Sequence, residues 1–87
     1  MTVFLDGREM TSRAAAHDHL AAQLSFPAHY GRNLDALYDL LCELSATLLV
    51  LEHSEAMLSA LGDYGAAVLD TLKDAAANNP RLELKIQ

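Results

Sequence analysis

With 87 residues, a hydrophobic fraction of 52% and one cysteine, the chain describes one small domain, residues 1–87, with a real core. The formal net charge is -6, from 12 acids against 6 bases, which argues against a nucleic-acid or anionic-membrane surface. Cys42 alone can form no internal disulfide, no leader pattern opens the sequence, and no run approaches the ~18 apolar residues of a membrane span, so a cytosolic protein, monomeric when free, is expected.

Taken in chain order, the residues predict strand, helix, helix, strand, helix, helix, strand. The apolar run Thr2-Val3-Phe4-Leu5, closed by Asp6-Gly7, reads as a strand ended by a turn pair. Thr11 or Ser12 caps a first helix through about Leu24, with Ala16, Leu20 and Leu24 on its inner stripe. Pro27 disfavours helix at Phe26, and Gly31 is free to take a positive φ. Asn33 then caps a second helix through about Leu44. The continuous apolar run Leu48–Glu52 predicts a central strand covered on both faces.

Ser54 is expected to cap a short third helix that Gly62 ends, and a fourth runs from about Asp63 to Asn78 until Asn79-Pro80 stops it. Val68, Leu69 and Leu72 form its inner stripe. In the last strand Leu82, Leu84 and Ile86 alternate with Glu83 and Lys85, the pattern of an edge strand with one wet face. Strands separated by helices imply a parallel sheet, so the expected fold class is α/β: two layers, three parallel strands and about four helices.

The distribution of charge is more informative than its total. Asp35, Asp39, Glu43, Glu52, Glu55, Asp63 and Asp70 follow one another with no Lys or Arg from Asn33 to Leu72. Charge alone fits a solvated surface that keeps a small protein in solution. The second helix is harder to explain so. At 100° per residue Leu34, Leu37, Leu40, Leu41 and Leu44 share one broad arc, and Asp35, Asp39 and Glu43 fall within about 80° on the other side. Like charges at this spacing cost about 0.2–0.5 kcal/mol per pair. Asp35 complements the helix dipole from the first turn, whereas Asp39 gains nothing from it and Glu43 lies at the wrong end. No base at three or four residues relieves either one. Three aligned acids without partners point to a partner from outside the chain.

Two carboxylates can also serve as acid and base or hold Mg²⁺, but these come from one exposed helical face, and no glycine-rich phosphate loop accompanies them. A metal site here would draw on His29, Asp35 and Asp39, which share no metal-ligand motif. His17, His19 and His53 read as surface or core-edge histidines, and Cys42, beside the acids, has no companion histidine that would make it a nucleophile. No enzyme activity, metal or cofactor is expected. Tyr30 and Tyr38 are packing residues by default, although a half-exposed aromatic beside acids is also the residue type that anchors protein interfaces. Asp74, next to Lys73, has no role that composition assigns.

The stretch FPAHYGRNLDALYDLL (26–41) resembles the barstar family of intracellular ribonuclease inhibitors. The shared pattern is Pro27, then Tyr30-Gly31-x-Asn33-Leu34-Asp35-Ala36-Leu37, an aromatic at 38, and Asp39. The opening strand with its Asp6-Gly7 turn, the Leu48–Glu52 strand and the final helix and strand also fall in register. The resemblance implies a three-stranded parallel sheet and a second helix that plugs the active site of a basic extracellular ribonuclease. Asp39 would take the place of an RNA phosphate, supported by Asp35, Tyr30, Gly31, Asn33 and Tyr38, with Asp74 matching a family acid on the last helix. His29, standing where barstar itself has a tyrosine, and Cys42 complete the expected contact surface. Tyr38 and Leu44 replace tryptophans, Asp74 replaces a glutamate and Leu48 a proline, so the aromatic ring around the acids is thinner. The expected function is therefore ribonuclease inhibition. The alternative is a barstar-like binding module with a different basic protein as partner.

Overall fold

In the computed structural model, which describes residues 1–87, three strands form one parallel sheet. They are β1 (Thr2–Asp6), β2 (Thr47–Glu52) and β3 (Leu82–Ile86), in the order β1-β2-β3. The helices are α1 (Arg13–Leu24), α2 (Leu34–Cys42), α3 (Ser54–Leu61) and α4 (Asp63–Asn78), and a 3-10 turn spans Gly7–Glu9. This is the expected three-stranded parallel α/β fold with four helices. No helix is long and apolar enough to cross a membrane.

Strand alternation decides where the core sits. Val3, Leu5, Leu49, Leu51 and Leu82 point to one face and join Ala16, Leu20 and Leu24 of α1, Leu37 and Leu41 of α2, Met57 of α3, and Val68 and Leu72 of α4 in one buried cluster. Phe4, Leu48 and Val50 point to the other face and stay outside that cluster. Val50 is buried between its register partners Phe4 and Lys85, and Phe4 itself is 52% exposed. The expectation that β2 is covered on both faces is thus corrected: it is central, but only one face meets the helical core. The stripe on β3 also fades, from buried Leu82 through half-buried Leu84 to exposed Ile86.

The free edge of β1 is closed by α1. The Asp6 N–H donates to His19 Nε2 at 2.9 Å, and Gln23 Nε2 donates to the Phe4 carbonyl at 2.9 Å. Residues four apart on a helix match residues two apart on a strand, because one turn rises ~5.4 Å and two strand residues ~6.6 Å. Backbone groups that an edge strand would leave open to other chains are so occupied.

Ser12 Oγ accepts from Ala15 N–H and Asn33 Oδ1 from Ala36 N–H, so both expected caps hold. Ser54 is not a cap. His53 occupies that position in a left-handed conformation (φ 54°) with no side-chain bond, and Ser54 Oγ donates to the Gln87 carbonyl, tying α3 to the end of β3. Helix α2 ends at Cys42, two residues before the expected Leu44. The Glu43 and Leu44 amides bond back to Leu40 and Leu41, the tighter three-residue pattern of a closing turn. The positive φ expected at Gly31 falls instead on Ser25 (56°) and Arg32 (56°). Gly31 has little room for a side chain: a Cβ there would lie 3.2 Å from both Ala36 Cβ and Asn33 Nδ2.

Candidate protein-binding site

Helix α2 presents the acids as the periodicity requires. Leu37 and Leu41 are fully buried, Leu34 and Leu40 half-buried, and Asp35, Asp39 and Glu43 exposed on the opposite side. None of the three carboxylates enters a salt bridge or a side-chain hydrogen bond; the ion pairs are Arg8–Asp6, Arg32–Asp18 and His53–Glu55. Asp39 and Glu43 therefore have no counter-charge within the fold, and Asp35 is relieved only by its place in the first turn.

The helix that bears them is clamped at both ends. Before its N-terminus, Tyr30 is 7% exposed, and its hydroxyl lies 2.5 Å from Nδ1 of His17 on α1. His17 is buried, and its Nε2 lies 2.7 Å from the Tyr64 hydroxyl on α4. Of the two readings, surface or core-edge histidine, the surface one is corrected accordingly. Burial pushes the Tyr30 hydroxyl up to about 12, with the neighbouring Tyr64 adding to the shift. Burial, and secondarily the Arg32 guanidinium, pulls His17 below its ordinary range. A neutral His17 donates through one ring nitrogen and accepts through the other, so it can join two hydroxyls at once.

At the other end, Asn79 Nδ2 donates to the carbonyls of Leu41 (3.0 Å) and Leu44 (2.9 Å), while its Oδ1 accepts from Arg81 N–H (3.0 Å). Asn79 is 6% exposed, so these bonds are made away from water, where unpaired carbonyls are costly. Between the two clamps, the Tyr38 hydroxyl accepts from Asn78 Nδ2 of α4.

The expected contact residues divide by exposure. His29, Gly31, Asn33, Asp35, Asp39 and Asp74 are exposed, and Tyr38 and the free thiol Cys42 are half-buried. Tyr30 lies in the core and supports the loop from beneath. Asp74 lies one turn before Asn78 on α4, on the side that touches Tyr38, so it borders the α2 face. Asn33 is held by its own capping bonds. His29, Asp35 and Asp39 do not converge, and no three His, Cys, Asp or Glu side chains group as metal ligands would.

His17, Tyr64, Asn78 and Asn79 were not expected in these roles. Their partners lie 13 to 47 positions away in sequence, and no local pattern marks them.

The molecule is thus a small three-stranded parallel α/β domain with an exposed acidic face on α2. The chain belongs to the barstar family: the family model described as Barstar (barnase inhibitor) matches residues 1–87. It is also 41% identical over 76 residues to "Putative ribonuclease inhibitor YrdF" of Bacillus subtilis (strain 168), across 84% of this chain and 82% of that protein.

Proposed function

We propose that this protein is a non-catalytic ribonuclease inhibitor, acting in the cytoplasm, that blocks the active site of a basic ribonuclease with the exposed face of α2. The observation that carries the reading is the unpaired row Asp35, Asp39 and Glu43 on a helix clamped by Tyr30–His17 and Asn79. The family description and the relative's printed name support a ribonuclease as partner. A cleft built to hold RNA phosphates offers closely spaced cations, and carboxylates fixed in advance meet them without an ordering cost on binding. Asp39, central in the row, takes the phosphate position; Asp35, Glu43 and Asp74 extend the negative field; Tyr38 and His29 supply the aromatic border.

RNA cleavage by a small basic ribonuclease such as barnase, measured against increasing inhibitor, tests this directly. Competitive inhibition by the wild type, lost in Asp39→Asn, is the expected result. Equal inhibition by both would refute the role of Asp39. His29 and Tyr38, which thin the aromatic border relative to barstar, favour a second reading in which the basic partner is a different protein.

A further inference from the structure

A second polar feature adjoins the acidic face. A cavity of about 560 Å³ opens between the first turns of α1 and α4 and the N-terminus of α2, lined by Arg13, His17, Arg32, Asn33, Asp35 and Tyr64 among others. In a chain of charge -6, two of its six basic residues meet there. The Arg13 guanidinium lies 4.3 Å from the centre of the Tyr64 ring and has no carboxylate partner. Contact with an aromatic face orients the group and leaves N–H donors for another acceptor.

Arg32 stands in the left-handed backbone region, at φ 56°, where a residue with a β-carbon is uncommon. That turn carries its side chain back onto α1, where Nη2 donates to the Ala14 carbonyl at 3.3 Å and pairs with Asp18. The side chain remains 46% exposed. Of the charged groups on the cavity wall, two are positive and only Asp35 is negative.

Asp35 belongs both to this wall and to the acidic face, so a protein that covers the face also covers the mouth of the cavity. When Asp35 turns to a cation of that protein, Arg32 keeps Asp18, but Arg13 is left under the interface with no anion on the cavity wall. A guanidinium buried without a counter-charge is strongly unfavourable. Guanidinium forks match the planar carboxylate in particular. We propose that this cavity is a carboxylate-binding site, filled by an acidic side chain of the bound ribonuclease; the identity of that occupant rests on the inhibitor reading above. The partner's footprint then alternates in sign, with cations opposite Asp35 and Asp39 and an acid opposite Arg13 and Arg32.

Two measurements test this, the first without a partner. The Nε–H resonances of Arg13 and Arg32 are followed by ¹⁵N NMR during titration with sodium acetate, with chloride holding ionic strength constant. Saturable shifts of both in the wild type, and no shift at Arg32 in Arg13→Gln, are expected. Shifts no larger than with chloride alone would overturn the proposal. Inorganic phosphate, tested where both anions are chiefly singly charged, should bind no more tightly than acetate; tighter binding would reassign the cavity to a phosphorylated ligand.

The second measurement is affinity for barnase of the wild type, Asp39→Ala and Arg13→Gln, each shown to be folded by chemical denaturation. Arg13→Gln should weaken binding tenfold or more. One acid-to-amide change on barnase should give a similar loss and add little when combined with Arg13→Gln. If Asp39→Ala weakens binding and Arg13→Gln does not, the partner carboxylate is refuted. If Asp39→Ala has no effect, or barnase does not bind at all, the inhibitor reading fails, and the acetate titration alone decides the cavity.

Discussion

The Tyr30 hydroxyl and His17 Nδ1 meet at 2.5 Å inside the core, joining the loop that leads into the acidic helix to a helix thirteen residues earlier. Removing the hydroxyl leaves a buried ring nitrogen without a partner. Tyr30→Phe should therefore destabilise the protein by about 1–3 kcal/mol, although the ring and its packing on Phe26 are kept. Tyr64→Phe should cost less, because Tyr64 is half-buried and water can replace its hydroxyl. Urea denaturation of the two variants compares them directly.

The same histidine makes stability depend on pH. His17 is held below its ordinary range by burial, so the folded state binds its proton more weakly than the unfolded chain does. Its contribution is fully present above the unfolded pKa of ~6.5 and is lost as pH falls from there through the folded value. Unfolding free energy should decline as pH falls below about 7. A His17→Gln variant, which cannot titrate, should show a flatter profile even though it is less stable at pH 7. Equal slopes in the two proteins would exclude His17 as the source.

Asn79→Ala removes the donor to the Leu41 and Leu44 carbonyls and the acceptor for Arg81. A loss of about 2–4 kcal/mol is expected from breaking several buried bonds at once. Amide exchange should quicken over residues 40–44 in the same variant, marking the end of α2 as the part released.

Asp39→Ala should act in the opposite sense on the free protein. The carboxylate is exposed and unpaired, and its removal relieves two like-charge neighbours and improves helix propensity. Stability should stay level or rise by up to ~1 kcal/mol. Affinity for the ribonuclease should fall by about 2–5 kcal/mol, since the partner's cations lose their counter-charge. Denaturation and titration of one preparation would separate these two effects.

Salt should act on the encounter and hardly at all on the bound state. Steering by the α2 row and Asp74 weakens as the screening length shortens from ~10 Å at 0.1 M to ~3 Å at 1 M. The association rate should drop by about an order of magnitude or more over that range, with dissociation little changed. Stopped-flow mixing at several salt concentrations measures both.

Local signals made most of the fold legible in advance. Alternating residues marked β3, Asn33 and Ser12 marked helix starts, and leucine spacing placed the acids of α2 on the outer face. These depend on neighbours within a turn or two. Ser54 was misplaced as a cap because its hydroxyl is claimed by the Gln87 carbonyl, 33 positions away. The freedom of φ that Gly31 offers goes unused while Arg32 beside it takes the positive φ, because an isolated glycine signals either freedom or tight surroundings, and here the surroundings are tight. The acidic row itself was visible. The clamps that hold it were not, because the groups that pair with His17 and Asn79 are brought together only by the folded chain.

The order of the strands also bears on how the protein is made. Leu49 pairs with Val3 on one side and Leu84 on the other, so no strand pairs with a near neighbour in sequence. Once residue 52 has left the ribosome, β2 can join β1, whose far edge α1 already covers. Its other edge waits for β3, which begins thirty positions later at Leu82. At about 5–20 residues per second, that interval lasts on the order of 1.5–6 seconds. During it the most apolar strand of the protein, Thr47-Leu48-Leu49-Val50-Leu51-Glu52, shows an open row of amides and carbonyls to other nascent chains. Crowded synthesis on one messenger is therefore the moment at which this protein is most exposed to pairing with its own copies.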